Sequence, residues 1–295
     1  MILLLEKSKT KDMNKTLITA LMAVLLFTGC NSKTERINDL QRMGLNGKIS
    51  KIVIVTQSAW VSNGMTKVAS TKSDRHFNNL ILKFDENGNI VSRTKKRHSR
   101  TLEDITYEYD ENGLLTAKIS NKDYNNVNFK DIYEYDGDNI KSIIRFDGNG
   151  DEIGKTCYEY NGDGIILKKE IFKNGNLVSL DTLLSKETNC EIWEVSDKNG
   201  TDCAEYMYEN GLLKERICGD QSSSFERDEH GNIIKSYNGM VSPEGEELFS
   251  SKAEDGVHIY EYKYDDNGNW KSRREYYGEN KKLKFLISRK ISYED

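Results

Sequence analysis

The chain has 295 residues and a net charge of −5 at pH 7, with 31% charged and 36% hydrophobic residues. A mildly acidic body of this kind excludes general binding to nucleic acid or to anionic headgroups. Sixteen Tyr, a single proline and polar residues that alternate with apolar ones favour wet β-sheets and exclude a disordered chain.

Residues 1–29 read as an export signal. Asn14-Lys15 opens a short positive stretch, and residues 17–27 form an apolar run too short to cross a bilayer as a helix. Met13, at the head of that stretch, is an alternative start. Phe27-Thr28-Gly29-Cys30 ends the run with small residues before a cysteine, in the order of a bacterial lipobox, with Phe27 where Leu is usual. Cys30 is therefore the expected lipidation site and the first residue of the mature chain. Removing residues 1–29, which hold four Lys and two acids, takes the net charge to −7. Each buried acyl methylene contributes about 0.8 kcal/mol to membrane attachment, so several chains on one cysteine hold a protein stably. Residues 30–46 are the expected lipid-anchored polar tether, with a short helix over residues 36–43.

From residue 47 onward a strand–turn unit recurs. It reads Tyr107-Glu108-Tyr109-Asp110-Glu111-Asn112-Gly113, then Tyr133-Glu134-Tyr135-Asp136-Gly137-Asp138-Asn139, then Tyr158-Glu159-Tyr160-Asn161-Gly162. Weaker copies begin at Phe84, Tyr206 and Tyr262. Side chains alternate along a strand, so the two tyrosines of a unit share a face. Asp bonds its own backbone, while Asn and Gly tolerate positive φ, so each unit ends in a turn. Leu114-Leu115-Thr116-Ala117-Lys118-Ile119 leads back, with Leu115, Ala117 and Ile119 expected on one face. The expected fold is all-β: an elongated antiparallel β-meander of repeated hairpins over residues 47–295, in a twisted or curled sheet. A two-layer β-sandwich is the alternative.

These Tyr-x-Tyr-Asp-x-x-Gly-Asn units resemble the YD repeats of Rhs-type proteins, and degenerate forms of them occur in lipid-anchored proteins of Bacteroidetes. The opening Gly47-Lys48-Ile49-Ser50-Lys51-Ile52 and the closing Tyr264-Asp265-Asp266-Asn267-Gly268-Asn269-Trp270 carry the likeness to both ends of the repeat region. The resemblance implies an envelope protein built of repeats and implies no activity. An acidic run after the cysteine, usual in surface-exported Bacteroidetes lipoproteins, does not follow Cys30. The expected location is thus the outer membrane, lipid-anchored, on its periplasmic side.

The catalytic search returns little. His76, His98, His230 and His258 are scattered, without metal-ligand spacing. Asp147-Gly148-Asn149-Gly150-Asp151 has the acidic spacing of a calcium loop, but Glu152 and Tyr158 stand where that loop needs Gly and Glu, so a tight turn is expected. No metal, cofactor or catalytic residue is expected. If the hairpin at Asn210-Gly211 is regular, Cys203 faces Cys218, which makes a candidate disulfide in an exported protein; one bulge breaks that register. Tyr107, Tyr109, Tyr133, Tyr135, Tyr158 and Tyr160 form a candidate aromatic binding stripe. The expected function is a non-catalytic lipoprotein that serves as a β-repeat scaffold or binds a protein or glycan. An envelope hydrolase using acidic residues and an immunity protein against a secreted toxin are the alternatives.

Overall fold

The computed structural model describes residues 37–122, 128–218, 221–241, 247–248 and 256–294. Cys30 and residues 31–36 of the expected tether lie outside them. One short helix, α1 (Asp39–Arg42), precedes the strands. The first strands are β1 (Ile49–Ser62), β2 (Met65–Val68), β3 (Asn78–Phe84), β4 (Ile90–Arg97), β5 (Arg100–Tyr109), β6 (Leu115–Lys122) and β7 (Phe129–Asp136). Then come β8 (Asn139–Asp147), β9 (Glu152–Tyr160), β10 (Ile166–Lys173), β11 (Asn176–Lys186), β12 (Cys190–Asp197), β13 (Gly200–Glu209) and β14 (Leu212–Cys218). The last are β15 (Gln221–Arg227), β16 (Ile233–Val241), β17 (Glu247–Leu248), β18 (Val257–Tyr264), β19 (Trp270–Tyr277) and β20 (Lys282–Tyr293).

All pairing is antiparallel, and consecutive hairpins form the expected meander. Its ends then meet. β1 pairs with β3 on one side, Ile52 facing Leu82, and with β20 on the other, Ile52 facing Ile291. The described strands therefore close an 18-stranded barrel, to which β2 and β17 are short additions. This overturns the two-layer alternative. A sandwich keeps sheet edges, whereas closure removes them and satisfies their backbone groups.

The repeated turn explains the register. In the turns that start at Asp85, Asp110, Asp147, Asn161, Asp228 and Asp265, the side-chain Oδ1 accepts the amides two and four residues on. The fourth residue is Gly with positive φ, +75° at Gly113. After the turns that follow β5, β9, β13 and β18, the returning strand carries one extra residue: Thr116, Leu167, Lys214 and Lys271. The bulge lies on the returning strand, so the tyrosines of the outgoing strand stay in phase. It also corrects the expected face of β6. Leu115 faces Tyr109, whereas Ala117 faces Glu108 and lies on the opposite side of the wall.

Residues 37–46 lie across the mouth where β1 begins and β20 ends. Asn38 caps α1 by accepting the Gln41 amide, and its Nδ2 donates to the Asn87 carbonyl. The Leu40 amide donates to the Gly88 carbonyl, and Tyr109 Oη donates to Asp39. At the other end the Asn46 amide donates to Asn269 Oδ1 and Asn46 Nδ2 donates to the Asn267 carbonyl. From β5 round to β19 the wall covers five strand spacings, about 24 Å or more. Residues 39–46, with one helical turn, reach only about 18 Å, so the short path runs inside the wall. There Leu40 and Leu45 pack with Ile49, Ile52, Leu82 and Phe84 in the main apolar cluster. Ile52, Leu82, Phe84 and Tyr109 belong to the tyrosine face, so that face lines the lumen.

Candidate binding surface of the barrel interior

The register places Tyr107, Tyr109, Tyr133, Tyr135, Tyr158 and Tyr160 together on the lumen face. The second tyrosine of each unit ties its strand to the preceding hairpin. Tyr109 Oη shares its one proton between the Ile90 carbonyl and Asp39, Tyr135 donates to Leu115 and Tyr160 to Ile140; in a later copy it is the first tyrosine, Tyr262, that donates to Ile233. Each acceptor lies at the start of the neighbouring strand, where the bulge interrupts the ladder. The unit is thus a hydrogen-bonded link as well as a packing element. Burial raises the Tyr107, Tyr109 and Tyr160 phenols above the ordinary value, and burial with the nearby Asp131 pushes Tyr133 up to about 12. These phenols stay neutral at physiological pH and act as donors.

Cross-strand ion pairs stand among the tyrosines. Arg145 grips Asp131 through Nε at 2.6 Å and Nη2 at 2.8 Å, and its guanidinium sits 4.3 Å from the Phe129 ring centre. Asp131 is only 3% exposed, so a two-pronged pairing is what its burial requires. Arg93 meets Glu103 at 2.8 Å and Lys169 meets Asp181 at 3.1 Å. Further round, Arg273 meets Glu275 at 3.6 Å. Arg289 differs, because it has no carboxylate partner among the described residues. Its guanidinium lies 3.4 Å over the Trp270 ring.

Beneath residues 41–46 lies a cavity of about 370 Å³, lined among others by Asn46, His230, Asn232, Trp270 and Arg289. Apart from His230, none of these stood out as a site candidate in the sequence. Arg289 and Trp270 look like ordinary strand residues until β20 and β19 pair, and Asn46 comes near Asn232 only when the barrel closes.

The outer face carries charges at mid-strand: Lys155, Glu170, Glu194, Glu205, Glu215 and Glu261, on six different strands. A membrane-spanning barrel needs a continuous outward apolar band, and a Lys or Arg at its midplane costs about 2–4 kcal/mol. Among the described residues this face has no such band. No helix among the described residues is long and apolar enough to cross a membrane.

The remaining sequence candidates separate. Lys214 shifts the β13–β14 register, so Cys218 faces Ala204 on the lumen side while Cys203 faces Glu194 on the outer side. The expected Cys203–Cys218 bridge is corrected: both thiols are free, as are Cys157 and Cys190. His230 occupies the turn position usual for Asn, and its amide donates to Asp228. Residues 147–151 form the same tight turn, and no group of three His, Cys, Asp or Glu among the described residues is placed to hold a metal. Among the described residues, the carboxyls that titrate clearly away from ordinary values, Asp74, Asp147 and Glu191, shift down. Burial would raise Asp74, but the amides of Ser58 and His76 prevail; the amides of Asp151 and Asn149 lower Asp147; burial would raise Glu191, but Lys186 prevails. A general acid needs the opposite shift.

No family model and no curated protein matches the chain. Among solved structures it is similar to a porin-like protein from Bacteroides uniformis ATCC 8492, at 10% identity and a TM-score of 0.41, covering 83% of this chain and 96% of that one. A porin-like protein from Bacteroides vulgatus ATCC 8482 matches at 11% identity and a TM-score of 0.26, covering 84% of this chain and 99% of that one. A third match, to the structure of TcdB2-TccC3-TEV, has 11% identity and a TM-score of 0.22, and covers 72% of this chain and 16% of that one.

Proposed function

We propose that this chain is a non-catalytic lipoprotein of the outer membrane with degenerate YD-like repeats, tethered through Cys30 on the periplasmic side. In this reading the barrel stands in water and serves as a binding scaffold for a protein or a glycan. The observation that carries it is the distribution of polar groups over the closed wall. The outer face is charged at mid-strand, which disfavours insertion in lipid. The lumen face combines neutral tyrosines with ion pairs, a surface suited to hydroxyls and amides.

Fractionation and capture test this together. Cys30→Ser is expected to move the protein from the membrane fraction to the soluble periplasmic fraction, and the purified barrel is expected to stay folded without detergent. A glycan array and cross-linking in intact envelopes are expected to yield a specific partner that is lost in a Tyr107→Ala/Tyr133→Ala/Tyr158→Ala variant. A barrel that needs detergent to stay soluble, or that captures nothing the triple variant loses, would defeat the proposal.

A further inference from the structure

The cavity under residues 41–46 has an unusual charge balance. Most lumen cations have a carboxylate within 4 Å, but Arg289 has none among the described residues, and its buried Nε donates no hydrogen bond. The neighbouring Arg273 is already matched by Glu275 and adds to the positive potential. Burial and Arg273 together lower the Arg289 guanidinium to about 10, which still leaves it charged at neutral pH. A half-buried guanidinium held against Trp270 with no carboxylate beside it is a ready partner for an anion.

The rest of the lining narrows the chemistry. Asn46 and Asn232 each donate through Nδ2, to the Asn267 carbonyl and to Tyr264, and neither Oδ1 receives a hydrogen bond among the described residues. An amide oxygen without a protein partner can accept from a hydroxyl group. Met43 and Leu45 close one side with apolar surface. The volume is at the lower end of the range for small-ligand sites.

We propose that this cavity binds a sugar acid, with its carboxylate on Arg289 and ring hydroxyls donating to Asn46 and Asn232. The inference rests on the binding reading above and names one ligand class for the mouth of the barrel. Arg289 is the group of choice for this role, because a guanidinium meets a carboxylate through two parallel hydrogen bonds.

Isothermal titration calorimetry of the mature chain with D-glucuronate, D-glucose and inorganic phosphate tests it. Saturable one-site binding of D-glucuronate is expected, at least tenfold tighter than either other probe. Arg289→Gln and, separately, Asn232→Asp are each expected to weaken D-glucuronate at least tenfold, with circular dichroism confirming the fold. Asn232→Asp introduces a negative charge beside the carboxylate and leaves Arg289 in place, so the test stands even if Arg289→Gln fails to fold. No binding of D-glucuronate, equal binding of phosphate, or unchanged affinity in a folded variant would each overturn the proposal. Loss of capture on the tyrosine wall with D-glucuronate still bound would defeat only the reading of the lumen. The reverse result would defeat only this inference.

Discussion

At one mouth of the barrel the turns after β3, β5, β9, β15 and β18 share a single five-residue geometry; at the other mouth, among the described residues, only the turn after β8 has it. The first mouth is also crossed by residues 37–46 and holds the larger apolar cluster. Towards the opposite end a smaller cluster of Ala59, Tyr276 and Leu283 lies on the outer face of the wall, and there the β1–β2 hairpin carries exposed Trp60, Val61, Met65 and Val68. The turn itself is local chemistry: in all six cases Asp or Asn precedes a positive-φ Gly by three residues. What differs is tertiary. Bulges follow turns at both mouths, but among the described residues only at the first do the repeat tyrosine hydroxyls and an N-terminal segment converge on the turns. That end should hold the barrel's stability, and the far end should tolerate change.

The largest effect is expected at Ile52, which is 0% exposed and pairs with both β3 and β20 at the closure. Ile52→Ala removes a core side chain from the six-residue cluster and should cost about 3–4 kcal/mol. Leu283→Ala, in the three-residue cluster of the far end, should cost about 2 kcal/mol, because a looser site collapses more readily. Urea denaturation of the two variants measures the difference. Equal losses would mean that both ends carry the fold alike.

A pair of glycines isolates what the N-terminal segment adds. Gly88 and Gly113 occupy the same place in equivalent turns, at φ +81° and +75°. A Cβ at Gly113 meets nothing within 4 Å, so Gly113→Ala should cost only the backbone term of about 1–2 kcal/mol. A Cβ at Gly88 would stand 2.8 Å from Asn38 Nδ2 and 3.1 Å from Leu40 Cδ1. Gly88→Ala should add about 1 kcal/mol by displacing the Asn38 cap and the Leu40 contact. Thermal denaturation that ranks the two equal would show that the segment does not brace the mouth.

The same contrast explains how much of the molecule was legible in the sequence. Turns and the tyrosine face were, because each follows from residues within seven positions of one another. The short helix was legible too, since Asn38 and Gln41 form a local capping pair. Closure was not: Ser50 meets Ser292, 242 positions away, and no residue near either announces it. The bulges were hidden for another reason. They arise from the turn geometry as it enters the ladder, so the extra residue has no type of its own; Thr116, Leu167 and Lys214 share nothing. That single uncounted residue moved Ala117 to the outer face and separated Cys203 from Cys218. The cavity at the mouth inherits both difficulties, because Asn46, Asn232 and Arg289 meet only through closure.

The smallest effect is expected at Trp60. A tryptophan in a strand usually marks a core, and removing one there costs about 3–5 kcal/mol. Here the ring is 47% exposed, and β2 pairs only with β1 among the described strands. Val61, Met65 and Val68 beside it are exposed as well, so apart from Ala59 the hairpin contributes little burial to the barrel. Trp60→Ser should therefore change stability by no more than about 0.5 kcal/mol, within the range of ordinary surface substitutions. A loss above about 1 kcal/mol in chemical denaturation would mean that the hairpin folds against the wall in solution. The far end would then be a second anchored mouth, and the contrast between the two ends would fail.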